Sequence, residues 1–260
     1  MIRSLWIAKT GMEGQQSALD AISNNLANVG TTGYKRAGVA FEDLMYQNLR
    51  AAGSASSEQT QLPTGLQVGL GVRVAATTRN FSQGSLQQTG NQLDMAINGA
   101  GFFQVTLPDG TTGYTRDGSF QTDANGQLVT NAGYVLQPGI AIPVNATSVN
   151  IAKDGVVTIS LLNNPAPQRL GQIQTASFVN PAGLEPRGGN IYGETAASGA
   201  PQAAAPDSGG HGALLQGSIE GSNVNVVQEL VNMIATQRAY ELNSKAIQTS
   251  DQMLQKLGQL

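Results

Sequence analysis

The sequence predicts an α+β protein. Long N- and C-terminal helices pair as a coiled coil, the middle is β-rich (hairpins or an irregular sandwich), and an extended arm joins the first helix to the β body. Three observations predict this. Apolar residues recur at heptad spacing near both ends of the chain. Turn dipeptides punctuate the middle. A small, polar stretch separates the first helix from the first strand pattern.

The first helix is expected over residues 3–28. Its seam is Leu5, Ala8, Met12, Gln15, Leu19, Ile22, Leu26 and Val29, with steps that alternate three and four residues as in a coiled coil. Gly30, Thr31, Thr32 and Gly33 then supply breaker and turn chemistry. Residues 47–65 are small and polar and close on Pro63 and Gly65, a composition that suits either an extended arm or a solvated linker.

From residue 66 to about 193 the pattern is β. Asp109-Gly110, Asp117-Gly118, Asn125-Gly126 and Asp154-Gly155 mark hairpin turns at a spacing near ten residues. The second helix is expected over 225–257, with Asn225 and Gln228 as its capping pair. Val226, Met233, Tyr240, Ile247 and Leu254 recur at seven, and Leu230, Ala239, Ala246, Met253 and Leu257 widen the stripe. Such a helix is about 50 Å long, more than a small β domain can cover. The seams can serve as a core within the chain, as contacts between copies, or as both. Three domains follow: an assembly domain of residues 1–34 with 221–260, a connecting arm over 35–68, and a β-rich outer domain over 69–220.

Composition narrows the function. Charged residues are 12% of the chain, about half the usual share, and the formal net charge is −3. No basic cluster is present, which argues against a nucleic-acid partner. The absence of cysteine excludes disulfides and thiolate chemistry. No apolar run reaches the roughly 20 residues needed to span a bilayer. Lys9, Glu13 and Asp20 interrupt any apolar region of a cleaved signal peptide, so export without one is expected.

Catalytic and metal sites are not expected, nor is a cofactor. His211 is the only histidine and lacks partners at ligand spacing. Asp117 and Asp123 sit in turn contexts, where aspartate is the ordinary residue. Gly69-Leu70-Gly71 and Gly99-Ala100-Gly101 are incomplete dinucleotide fingerprints.

Two motifs carry a resemblance. Ser23-Asn24-Asn25-Leu26-Ala27-Asn28-Val29-Gly30-Thr31-Thr32-Gly33-Tyr34-Lys35-Arg36 resembles the N-terminal signature of bacterial flagellar rod and hook proteins. Glu220-Gly221-Ser222-Asn223-Val224, with Arg238 and Tyr240 further on, resembles the C-terminal signature. Phe81-Ser82-Gln83-Gly84, Leu93–Gly99 and Tyr114–Phe120 resemble the shared core of that family. The length and the insert at about 46–68 look like the distal-rod members, with the similar-sized proximal rod member as the alternative.

The resemblance implies a structural subunit of the basal-body rod that spans the periplasm. It would polymerise into a rigid hollow helical tube that transmits torque and carries export. The implied partners are further copies of the chain, other rod proteins, the hook subunit, the surrounding P/L ring bushing and the type III export apparatus, with no membrane insertion. A peptidoglycan-directed hydrolase and a β-type surface adhesin are the rivals from other classes.

Overall fold

The computed structural model describes residues 2–53, 55–57, 60–61, 63–161 and 164–258. Two long helices lie at the ends: α1, Ile2–Ala27, and α2, Val226–Leu257. The α2 start is capped as the sequence indicates, with the Gln228 amide donating to Asn225 Oδ1 at 3.2 Å. Among the described residues no helix is long and apolar enough to cross a membrane.

The chain divides into two compact units. The first comprises residues 1–27, 37–78 and 225–260. In it α1 and α2 lie side by side, but they do not form the expected coiled coil. A coiled coil needs apolar knobs from both helices along one seam. Here Leu5, Met12, Leu19 and Leu26 are only half-buried, as are Met233, Ile247 and Leu254, whereas Val226, Leu230 and Tyr240 are exposed. The close approaches are instead small and polar: Gly11 meets Asn243, and Asn25 meets Glu229. Among the described seam residues only Ala8 and Ile22 are buried.

The expected extended arm is also absent among the described residues. Ala37–Asp43 pairs with Val72–Arg79, Gln47–Arg50 with Leu66–Val68, and Ala55–Ser57 with Thr60–Gln61. The segment is therefore a nested β-ribbon. An arm would leave its backbone amides and carbonyls to solvent; the ribbon satisfies them across its own ladder.

The second unit comprises residues 28–36 and 79–224. Its main sheet has nine strands, built around the central strand Phe102–Thr106, which pairs with Thr112–Thr115, Val135–Leu136 and Thr175–Ser177. A three-stranded sheet is formed by Ala146–Ile151, Val156–Leu161 and Asn164–Gln172. Met95–Asn98 pairs with Ala213–Gln216, and Leu86–Gln88 with Ser218–Glu220. The last two pairings bring the end of the β chain back to its beginning.

Alternation along the central strand feeds two cores, one on each face of the main sheet. Phe103 and Val105 join Met95, Ile97, Phe120 and Leu128 in the larger core. Phe102, on the other face of the same strand, packs edge-on against Phe81 and Phe178, with ring centroids 5.4 and 5.8 Å apart.

Candidate functional site

The motifs that stand far apart in the sequence meet in the second unit. Gly33 ends the turn after α1 at φ +67°. A Cβ there would stand 2.5 Å from the Asp117 amide nitrogen, so only glycine fits. The Gly33 amide donates to the Glu220 carbonyl at 2.8 Å. That bond delivers the next residues, Tyr34 and Lys35, to the interior.

Lys35 is wholly buried. Its Nζ donates to Glu220 Oε1 at 2.6 Å and to the Ser82 carbonyl at 2.8 Å. The Gly84 amide also donates to Glu220 Oε1, at 2.8 Å. The other carboxylate oxygen, Oε2, accepts from Arg116 Nη1 at 3.1 Å. Arg116 Nη2 donates to the Gly99 carbonyl at 2.6 Å, and its guanidinium lies over the Phe102 ring at 5.4 Å. Glu220 thus receives bonds from the N-terminal motif, the Phe81–Gly84 segment and the Tyr114–Phe120 segment.

The cluster holds two cations against one carboxylate, all but excluded from water. Burial pulls the Lys35 ammonium below its ordinary value of 10.5, against the opposing attraction of Glu220. Burial lowers Arg116 in the same way, and Glu220 again opposes it. A buried pair of this kind adds little net stability over an apolar replacement, but losing one partner is costly.

Asn223 makes a second junction. Its Oδ1 accepts from the Arg36 amide at 2.7 Å, and its Nδ2 donates to the Asn80 and Ser82 carbonyls at 2.8 and 3.1 Å. Tyr34 is buried, with the Arg79 guanidinium 5.7 Å from its ring centroid and an equal distance from that of Tyr192.

The residues singled out in the sequence separate into three groups. Gly33, Tyr34, Lys35, Gly221 and Val224 are buried in the second unit, with Asn28, Ser222 and Asn223 half-buried there. Asn25 is buried in the first unit, where Leu26 is half-buried and Asn24 and Ala27 are exposed. Arg238 and Tyr240 are exposed on α2. Sequence reasoning passed over Arg116, Glu220 and Glu229 as site residues. The one available signal was rarity, since the chain is only 12% charged; it does not say which charges are buried.

The groups weighed for catalysis have structural bonds. His211 is buried, its Nδ1 2.9 Å from Thr175 Oγ1 and its Nε2 3.2 Å from Ser177 Oγ. Asp117 Oδ1 accepts from the Ser119 amide and hydroxyl, and Asp123 Oδ1 from the Asn125 and Gln127 amides.

A β-rich unit whose first and last segments are joined by a buried junction, together with a unit of two terminal helices, defines a class of structural assembly proteins. Comparison with known families agrees. The model described as flagella basal body rod protein matches residues 5–35. The flagellar hook protein FlgE/F/G D1 domain matches 96–159, and the flagellar basal body rod FlgEFG protein C-terminal matches 215–260. The chain is 58% identical over 260 residues to the flagellar basal-body rod protein FlgG of Buchnera aphidicola subsp. Acyrthosiphon pisum (strain APS), covering 100% of both chains. It is 50% identical over 256 residues to that of Borreliella burgdorferi, covering 98% of this chain and 97% of the relative. It is 49% identical over 260 residues to that of Caulobacter vibrioides, covering 100% and 99%. The chain belongs to the flagellar basal-body rod protein family.

Proposed function

We propose that this chain is the subunit of the distal rod, polymerising with copies of itself into a rigid hollow helical tube. The tube transmits torque and gives passage to exported proteins. One observation carries the reading. The α2 helix leaves an apolar stripe uncovered, in which Val227, Val231, Ile234 and Leu242 are 71, 55, 53 and 66% exposed. These residues follow one another at helical spacing on one side of the helix. A contiguous apolar face of this size is expensive to leave in water, and a second copy of the chain would cover it. If the patch it meets lies elsewhere on the subunit, the contact does not close and produces a filament.

The full-length likeness to proteins named as basal-body rod proteins supports the same reading. Other rod subunits, the hook subunit, the ring bushing and the export apparatus are the partners it implies. The role is structural, with no catalytic step: the buried charges serve tertiary bonds. The assembly domain would draw on the terminal helices, and the β-rich unit would form the outer layer.

Electron microscopy of basal bodies from cells lacking only this chain tests the proposal. Rods that stop short and carry no hook are the expected result. Complete rods with hooks would refute it.

A further inference from the structure

Among the contacts between α1 and α2 are a polar one and a small one whose positions are related. At one end Asn25 Nδ2 donates to Glu229 Oε2 at 3.3 Å, with both residues 1% exposed. The Asn25 amide is itself oriented by Ala37: its Oδ1 accepts from the Ala37 amide and its Nδ2 donates to the Ala37 carbonyl, each at 2.8 Å. At the other end a Cβ on Gly11 would stand 2.9 Å from Asn243 Nδ2. Fourteen residues separate Gly11 from Asn25, and fourteen separate Glu229 from Asn243. The two contacts therefore belong to one antiparallel register, four turns or about 21 Å apart.

Apolar residues at seven-residue intervals do not by themselves choose a register. A slide of one heptad replaces one apolar contact by another of the same kind. It would, however, take the Glu229 carboxylate away from the Asn25 amide. It would also place Asn243 opposite a residue other than glycine. A buried polar pair between helices is the known means of fixing register where apolar contacts are degenerate.

We propose that Asn25–Glu229 and Gly11–Asn243 are the specificity-determining contacts of this helix pair. Together they form a two-point register lock that sets the height along α1 at which the outward apolar stripe of α2 is presented to a second copy. The consequence for assembly rests on the reading of the α2 stripe as a subunit-binding face. The lock itself is a property of the monomer.

The absence of native cysteine makes the test direct. In the full chain, Gln15→Cys is combined with Ala239→Cys, which lies in register, or with Ala246→Cys, one heptad away. In the parent background the in-register disulfide should exceed the displaced one at least about tenfold, the bias expected of a buried charge-assisted hydrogen bond. In an Asn25→Ala/Asn243→Ala background the ratio should fall toward unity. Glu229→Gln, which keeps an acceptor for Asn25, should hold the parent ratio, while Glu229→Leu should lose it. An undiminished preference in the alanine and leucine backgrounds would overturn the proposal. Circular dichroism confirms that the helices persist; should the alanine pair abolish them, the contrast between Glu229→Gln and Glu229→Leu decides. Sedimentation reads assembly separately. A parent chain with a single register that never polymerises would count against the α2 face and leave the lock standing.

Discussion

Lys35 and Glu220 stand 185 residues apart in the chain and 2.6 Å apart in the fold, each with its side chain withdrawn from water. Arg116 shares the same carboxylate, so the cluster is asymmetric in charge. Removing Lys35 leaves a balanced Arg116–Glu220 pair; removing Glu220 leaves two buried cations. Glu220→Gln should therefore destabilise the β-rich unit by about 3–5 kcal/mol, and Lys35→Met by clearly less. Urea unfolding of the two variants measures the difference. Equal losses would show that charge balance does not govern the junction.

The same cluster gives an alkaline signature. Lys35 has its folded value depressed by burial, so between that value and 10.5 the unfolded chain holds more protons and stability rises with pH. Tyr114 works in the opposite sense. Burial, followed by the nearby Glu194 carboxylate, pushes its phenol from 10.0 up to about 12. The folded chain then holds the extra proton, and this contribution is lost as pH climbs from 10 through 12. Lys35→Met should remove the rising limb and Tyr114→Phe should flatten the falling one. Melting temperatures taken between pH 8 and pH 12 read both slopes.

The two terminal helices and the β-rich middle were legible because periodicity and turn chemistry are local. The coiled coil was misread for a physical reason. A heptad pattern reports that a face is apolar but does not say what covers it, and half of the α2 seam is left open in the chain. The arm was misread because the small polar residues of 47–65 carry no strand signal of their own; pairing with one another and with the adjoining Leu66–Val68 supplies the ladder. The motif around Gly33 and Lys35 was visible, and Glu220 opened the C-terminal motif, but the pairing of Lys35 with Glu220 was not. Nothing local distinguishes a carboxylate destined for burial from one at the surface.

Gly33 provides a sharper test of the turn. At φ +67° with the Asp117 amide beneath it, any side chain meets both backbone strain and a clash. Gly33→Ala should cost about 1–3 kcal/mol and loosen the Gly33–Glu220 backbone bond. Hydrogen exchange at Gly33 and Gly84 measures it. Gly30→Ala is the control, since nothing lies within 4 Å of a Cβ there.

Asn223 holds three backbone groups with one amide, so no other side chain of its size replaces it. Asn223→Asp keeps the acceptor for Arg36 and loses the donor, placing a carboxylate against the Asn80 and Ser82 carbonyls. It should be at least as damaging as Asn223→Ala, which is expected to cost about 1–3 kcal/mol through unsatisfied groups. Thermal unfolding ranks the two. An aspartate variant of parent stability would show that the donor half of the junction carries no weight.

An exposed residue of α2 and a buried residue of α1 should respond differently to a charge. Ile234 is 53% exposed, so Ile234→Asp adds a solvated carboxylate and should leave the helix pair folded. Any polymer contact through that face would then bury an unpaired charge, at a cost of several kcal/mol, and assembly should fail. Ile22 on α1 is buried in the same unit, so Ile22→Asp should disrupt the packing of that unit before assembly is reached. Circular dichroism on monomers, with sedimentation of polymers, separates the effects. Normal filaments from Ile234→Asp would remove the outward stripe from the assembly surface. Helix loss in that variant would mean the stripe is covered within the chain.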